Sequence, residues 1–174
     1  DHITTGTTID AITTGAGDDD IVIAGDDSTA ADMIVISDYA ISAAADFDTL
    51  TTTTVNAADI AADDATNLTA GATIFATAGG VVNYDVTDGV LSFTGLSADV
   101  ALINTLAEYI SVVEELINGD TDTTAEHLAF EFGGDTYVVT SDAGDTTSNV
   151  IQLVGVTDVA AMAGAQAADT IVFA

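Results

Sequence analysis

Apolar and polar positions alternate in short bursts, and short strands separated by Gly/Asp turns are the first prediction. The unit Asp-x-Ile stands at Asp10/Ile12, returns nine residues later at Asp19/Ile21, and returns again at Asp32/Ile34 after thirteen. Between these units lie Thr14-Gly15-Ala16-Gly17 and Gly25-Asp26-Asp27. A short apolar strand, a Gly/Asp turn and another strand make the unit of a parallel β-solenoid, in which stacking supplies the core that one unit lacks. Residues 38–56 read as a loop and then a strand, in which Phe47 and Leu50 both point inward only with a local irregularity. Residues 56–72 read as a surface loop with at most one helical turn.

Strand-like runs follow at 73–77, 81–86 and 90–94, with Gly79-Gly80 and Asp88-Gly89 between them. Asp-Gly between alternating runs is a hairpin signal. Residues 97–118 carry the one helical period. Leu102, Leu106, Tyr109, Val113 and Leu116 form a stripe widened by Ile103, Ile110 and Ile117, opposite Asn104, Glu108, Ser111 and Glu115. Ser97 is the expected N-cap and Gly119 the stop. Past an acidic linker, strands are expected at 127–132, 135–140 and 150–156, the first two joined at Gly133-Gly134. A short helix is expected within 157–168 and a last strand at 169–174. The fold class is mainly β: a short β-roll or β-solenoid-like part (1–56) joined to a β-rich, sandwich-like part (57–174) with one amphipathic helix, or both in one continuous domain.

Composition sharpens this picture. The 174 residues include 24 Asp and 5 Glu but no Lys, Arg, Pro, Cys or Trp, for a net charge of -29. Nucleic-acid binding lacks its basic footprint, anionic membranes would repel the chain, and thiolate chemistry is excluded. No segment is apolar enough for membrane insertion. Disordered acidic chains are poor in apolar residues, whereas 48% of these residues are hydrophobic. Folding then crowds carboxylates onto a compact body, and the repulsion needs counter-ions. Ca²⁺, which prefers hard oxygen donors, suits Asp-rich sites; screening by high salt is the alternative. The chain starts at Asp1, read as a fragment or processed product, and extracellular free calcium suits weak Asp sites.

The strongest chemical motif is Thr14-Gly15-Ala16-Gly17-Asp18-Asp19-Asp20-Ile21-Val22, which fits Gly-Gly-x-Gly-x-Asp-x-apolar-x with Thr at the first glycine. In that nonapeptide small residues turn the backbone sharply and an Asp closes a calcium cage between stacked turns. Here the residues resemble the RTX (repeat-in-toxin) calcium-binding β-roll. Phe130-Glu-Phe-Gly133-Gly134-Asp135-Thr136-Tyr137-Val138-Val139, followed by Val150-Ile-Gln-Leu-Val-Gly155-Val, resembles the C-terminal region of type I-secreted bacterial surface-layer proteins and adhesins. The final Asp169-Thr-Ile-Val-Phe-Ala174 resembles the uncleaved export signal of that group. These likenesses cover residues 9–50 and 127–174.

The resemblance implies calcium on Asp10, Asp19 and Asp32, with Gly15, Gly17 and Gly25 as carbonyl donors and Asp26, Asp27, Asp38 and Asp48 as second-tier ligands. It implies that Asp10 and Asp32 share one side of a roll and Asp19 the other. The run departs from the family in being short and interrupted by an insertion, so a long roll is not expected. Enzymatic readings fare poorly: neither His2 nor His127 sits in a catalytic motif, and no Gly-x-Ser-x-Gly is present.

The expectation is therefore a non-enzymatic structural protein of the bacterial cell surface. It would fold and self-associate into a lattice or filament with Ca²⁺, be exported by a type I apparatus, and contact cell-surface polysaccharide. The alternatives are a C-terminal module serving type I secretion of a larger protein, and a calcium-dependent glycan-binding adhesin domain.

Overall fold

The computed structural model describes residues 1–6, 10–23, 32–41, 46–52, 66–69, 81–87, 89–93, 103–119, 127–141, 147–159, 162–163 and 170–173. Its first five strands are β1 (His2–Thr4), β2 (Ala11–Thr13), β3 (Asp20–Ile23), β4 (Ile34–Ser37) and β5 (Thr49–Thr52). They alternate between two sheets. β1, β3 and β5 are parallel neighbours in one, with Ile3 opposite Ile21 and Ile21 opposite Leu50. β2 and β4 are parallel neighbours in the other.

The remaining elements are β6 (Thr66–Thr69), β7 (Val81–Thr87), β8 (Val90–Phe93), helix α1 (Leu106–Gly119), β9 (His127–Phe132), β10 (Asp135–Ser141), β11 (Thr147–Val154), β12 (Met162–Ala163) and β13 (Thr170–Phe173). The five-stranded sheet runs β1-β3-β5-β13-β12, and the eight-stranded sheet runs β2-β4-β11-β10-β9-β8-β7-β6. The mainly β class with one described helix is thus present.

Two apolar layers hold the molecule together. Between the sheets lie Ile12, Ile34, Ile36, Ile151 and Leu153 from one side and Ile21, Ile23, Leu50, Ile171 and Phe173 from the other. On the opposite face of the larger sheet, Leu128, Phe130, Tyr137, Val139 and Val150 pack with Ile110, Val112 and Val113 of α1. The central residues of β9 to β11 are therefore covered on both faces, so apolar residues stand side by side there, as in Leu128–Phe130, Tyr137–Val139 and Val150-Ile151. Full burial of each such side chain stabilises by about 1.5–3 kcal/mol.

Several local expectations need correction. The helix starts at Leu106, since 103–105 are not helical. Ser97 lies outside the described residues, and the observed cap is a capping box. The Thr105 N–H donates to Glu108 Oε2 (2.9 Å), and the Glu108 N–H donates to Thr105 Oγ1 (3.4 Å). Within the span read as a surface loop, Thr66–Thr69 form β6 and pair with β7. Residues 157–159 are not helical and Met162–Ala163 form β12, paired with β13. The strand expected at 73–77 lies outside the described residues.

Candidate functional site: the acidic turns between stacked strands

Each β1-type strand is preceded by an aspartate, and the register sets these residues level. Asp20 stands opposite Thr49, so Asp19 and Asp48 occupy the same point on adjacent parallel strands. The Thr49 N–H donates to the Asp19 carbonyl (2.8 Å), and the Asp20 N–H donates to the Asp1 carbonyl (2.9 Å). Asp1, Asp19 and Asp48 thus form one column beside the apolar column Ile3, Ile21, Leu50. Asp1/Ile3 also stands nine residues before Asp10/Ile12, one more unit of the same period.

Asp19 and Asp48 are buried, at 3% and 1% exposure. Asp48 Oδ1 accepts the Asp19 N–H (3.1 Å) and Oδ2 accepts the Ala40 N–H (2.9 Å). Its backbone carbonyl accepts the Tyr39 hydroxyl (2.9 Å). Burial pushes the Asp48 carboxyl above the usual range, with repulsion from Asp19 adding to it, against the opposing pull of its N–H donors. Asp19 Oδ1 meets the backbone nitrogen of Asp1, while Oδ2 is buried without a hydrogen-bond partner. Beside them, burial opposes the charge of Asp20, but hydrogen bonds from Thr51, His2 and Thr49 outweigh it and hold that carboxyl below its usual range.

The other turn carboxylates also take backbone N–H groups from neighbouring turns. Asp38, in a left-handed conformation (φ 61°), accepts the Thr14 N–H (2.9 Å) and the Gly15 N–H (3.3 Å). Asp46 accepts from Gly17 (2.8 Å) and Asp18 from Phe47 (3.0 Å), neither among the expected site residues. Asp10 accepts the Gly6 N–H (2.8 Å). Gly15 and Gly17 have φ of 96° and 107°, backbone that only glycine adopts readily. Their described role is to offer N–H groups to Asp38 and Asp46.

The structure therefore brings together Asp19 with Asp48, and Gly15 with Asp38. Asp10 and Asp32 lie on the side of the larger sheet and Asp19 on that of the smaller, as expected, but Asp10 and Asp32 are not level. Both precede strands of the larger sheet, but Ile12 stands opposite Ile36 rather than Ile34, so the two aspartates are two residues out of register. The thirteen-residue spacing produces that slip, and Asp32 is exposed. Gly25, Asp26 and Asp27 lie outside the described residues.

Among the described residues, no three His, Asp or Glu side chains gather to hold a metal ion. What the column offers a cation is the partnerless Asp19 Oδ2 and the remaining lone pairs of Asp48. Those are hard donors of the kind Ca²⁺ prefers, though fewer than its usual six to eight.

Downstream, the Gly133-Gly134 hairpin and the Gly155 segment are joined directly. Asp135 accepts the Gly155 N–H and the Gln152 amide (both 2.7 Å), and Thr136 Oγ1 donates to the Val156 carbonyl (2.9 Å). His127 is buried with both ring nitrogens lacking a hydrogen-bond partner, and burial lowers its pKa to about 4. Among the described residues, no helix is long and apolar enough to cross a membrane. No family model and no curated protein matches the chain.

Proposed function

We propose that this chain is a structural protein of the bacterial cell exterior. Its first five strands act as a short β-roll-like stack whose acidic turns are neutralised by Ca²⁺, and its copies associate into a lattice or filament. The observation that carries this reading is the level, buried pair Asp19 and Asp48 at matching points of adjacent parallel strands, with one Asp19 oxygen unpartnered. A chain without Lys or Arg has no side chain of its own to neutralise that pair except histidine. The two buried carboxylates repel each other, and a divalent ion turns the repulsion into a tie between strands.

Association is supported by the sheet edges. Among the described residues, β1 and β2 each stand at the end of their sheet, with a strand neighbour on one side. Unpaired edges of this kind template further strands. The experiment is negative-stain electron microscopy of purified protein in calcium and in EDTA at equal ionic strength. Ordered assemblies are expected in calcium and their loss in EDTA; dispersed monomers in both would contradict association.

Export by a type I apparatus remains part of this proposal. Ile171 and Phe173 of the terminal segment are fully buried core residues. Deleting 169–174 thus removes core along with any signal. Substituting Asp169, which lies outside the described residues, tests export without removing those two side chains.

A further inference from the structure

Strands β8 and β9, helix α1 and the segment after β11 line an open cleft of about 400 Å³. Val90, Leu91 and Val159 give it an apolar wall, and Ser92, Tyr109, Glu131 and Asp158 complete the lining. Glu131 Oε1 accepts the Val159 N–H (2.9 Å), which anchors this carboxylate at the wall. Asp158 is held in a left-handed backbone conformation, φ 61°. The Tyr109 ring packs against Phe130 and Phe132 at centroid distances of 5.5 and 4.9 Å, which fixes its plane.

We propose that this cleft binds a primary alkylammonium group. The ammonium sits against Glu131, Asp158 and the Tyr109 ring, and the methylene stem lies along Val90, Leu91 and Val159. A phenol ring attracts a cation within about 6 Å of its centroid, and carboxylates supply the charge-assisted hydrogen bonds. A long amine keeps its head polar and its stem on apolar surface. Calcium would have no use for the apolar wall, and a neutral sugar would leave the charges of the two carboxylates uncompensated. The chain has no Lys. The group therefore comes from a free polyamine or from a lysine of a different protein, and no lysine of a second copy can supply it. This site is independent of the calcium reading.

The test is an NMR titration of the whole chain with cadaverine and, separately, with Nα-acetyl-lysine methylamide, at about 0.15 M ionic strength to screen diffuse attraction. Saturable shifts at Val159 and Tyr109 are expected. Glu131→Gln, which keeps an acceptor for the Val159 N–H, should weaken binding about tenfold. Tyr109→Leu should weaken it as well. Asp32→Asn, which removes one charge from an exposed site elsewhere, should leave it unchanged. Tighter binding of cadaverine assigns a free polyamine, and tighter binding of the lysine derivative assigns a protein side chain. Equal weakening by Asp32→Asn and Glu131→Gln would reveal diffuse counter-ion binding and overturn the site. So would shifts produced by galactose or Ca²⁺ and not by either amine.

Discussion

His127 and Asp48 are buried ionisable residues whose shifts have opposite consequences. Below its unfolded value of about 6.5, His127 takes up a proton when the chain unfolds, but resists protonation in the fold until about pH 4. Its contribution is complete above pH 6.5 and is lost as pH falls toward 4, on the order of 3 kcal/mol in all. Asp48 runs the other way. Its folded pKa is raised, so its contribution is present at low pH and lost as pH rises through that raised value. Urea unfolding in EDTA from pH 7 to pH 4 should therefore show a steep loss in the native protein and a flatter profile in His127→Leu. An unchanged acid limb in that variant would assign the loss to other groups. Asp48→Ala strands the buried Asp19 N–H and the half-buried Ala40 N–H and should cost about 2–4 kcal/mol in the same assay. It should also abolish any stabilisation by calcium, whereas a full calcium response would move the ion elsewhere.

The elements that were legible in the sequence are those whose signal is local. The antiparallel pairing of β7 with β8, the Gly133-Gly134 hairpin, and strands β7 to β10 and β13 follow from turn chemistry and apolar runs. The helix start was misplaced because the apolar stripe continues upstream through Leu102 and Ile103, while the true signal, Thr105 three residues before Glu108, lay inside the expected helix. β6 was missed because Thr-Asn-Leu-Thr is too short and polar to declare a strand; only its pairing with β7 makes it one. The site was half legible. The nine-residue period pointed to Asp19, but the insertions before Asp32 and Asp48 hide which aspartates stand level, and only the register pairs Asp19 with Asp48. Two substitutions test these elements. Thr105→Ala should cost about 1 kcal/mol, read by thermal melting followed at the helical circular dichroism band. Gly15→Ala, forced to φ 96°, should cost about 1–2 kcal/mol even though open space surrounds the position. No loss there would show that the turn relaxes to a conformation open to all residues.

For the molecule as a whole the question is how a chain of net charge -29 stays folded. Its apolar residues fill two layers, one between the sheets and one under the helix, and that burial drives folding. Many carboxylates in the first coils are consumed as acceptors for turn N–H groups, which explains part of the aspartate content without any ion. The exception is Asp19, buried level with the buried Asp48 and with one carboxylate oxygen lacking a partner. Its neutralisation by calcium is the central claim. The most direct measurement is the calorimetric melting midpoint in EDTA and in increasing Ca²⁺, with NaCl holding ionic strength constant. At a hundredfold excess over the dissociation constant one site adds about 2.7 kcal/mol, a rise of roughly 5–10 °C for a chain of this size. A saturating rise of that order, lost in Asp48→Ala, is the predicted result. A midpoint identical in EDTA and calcium, or one that responds only to total salt, would contradict the account.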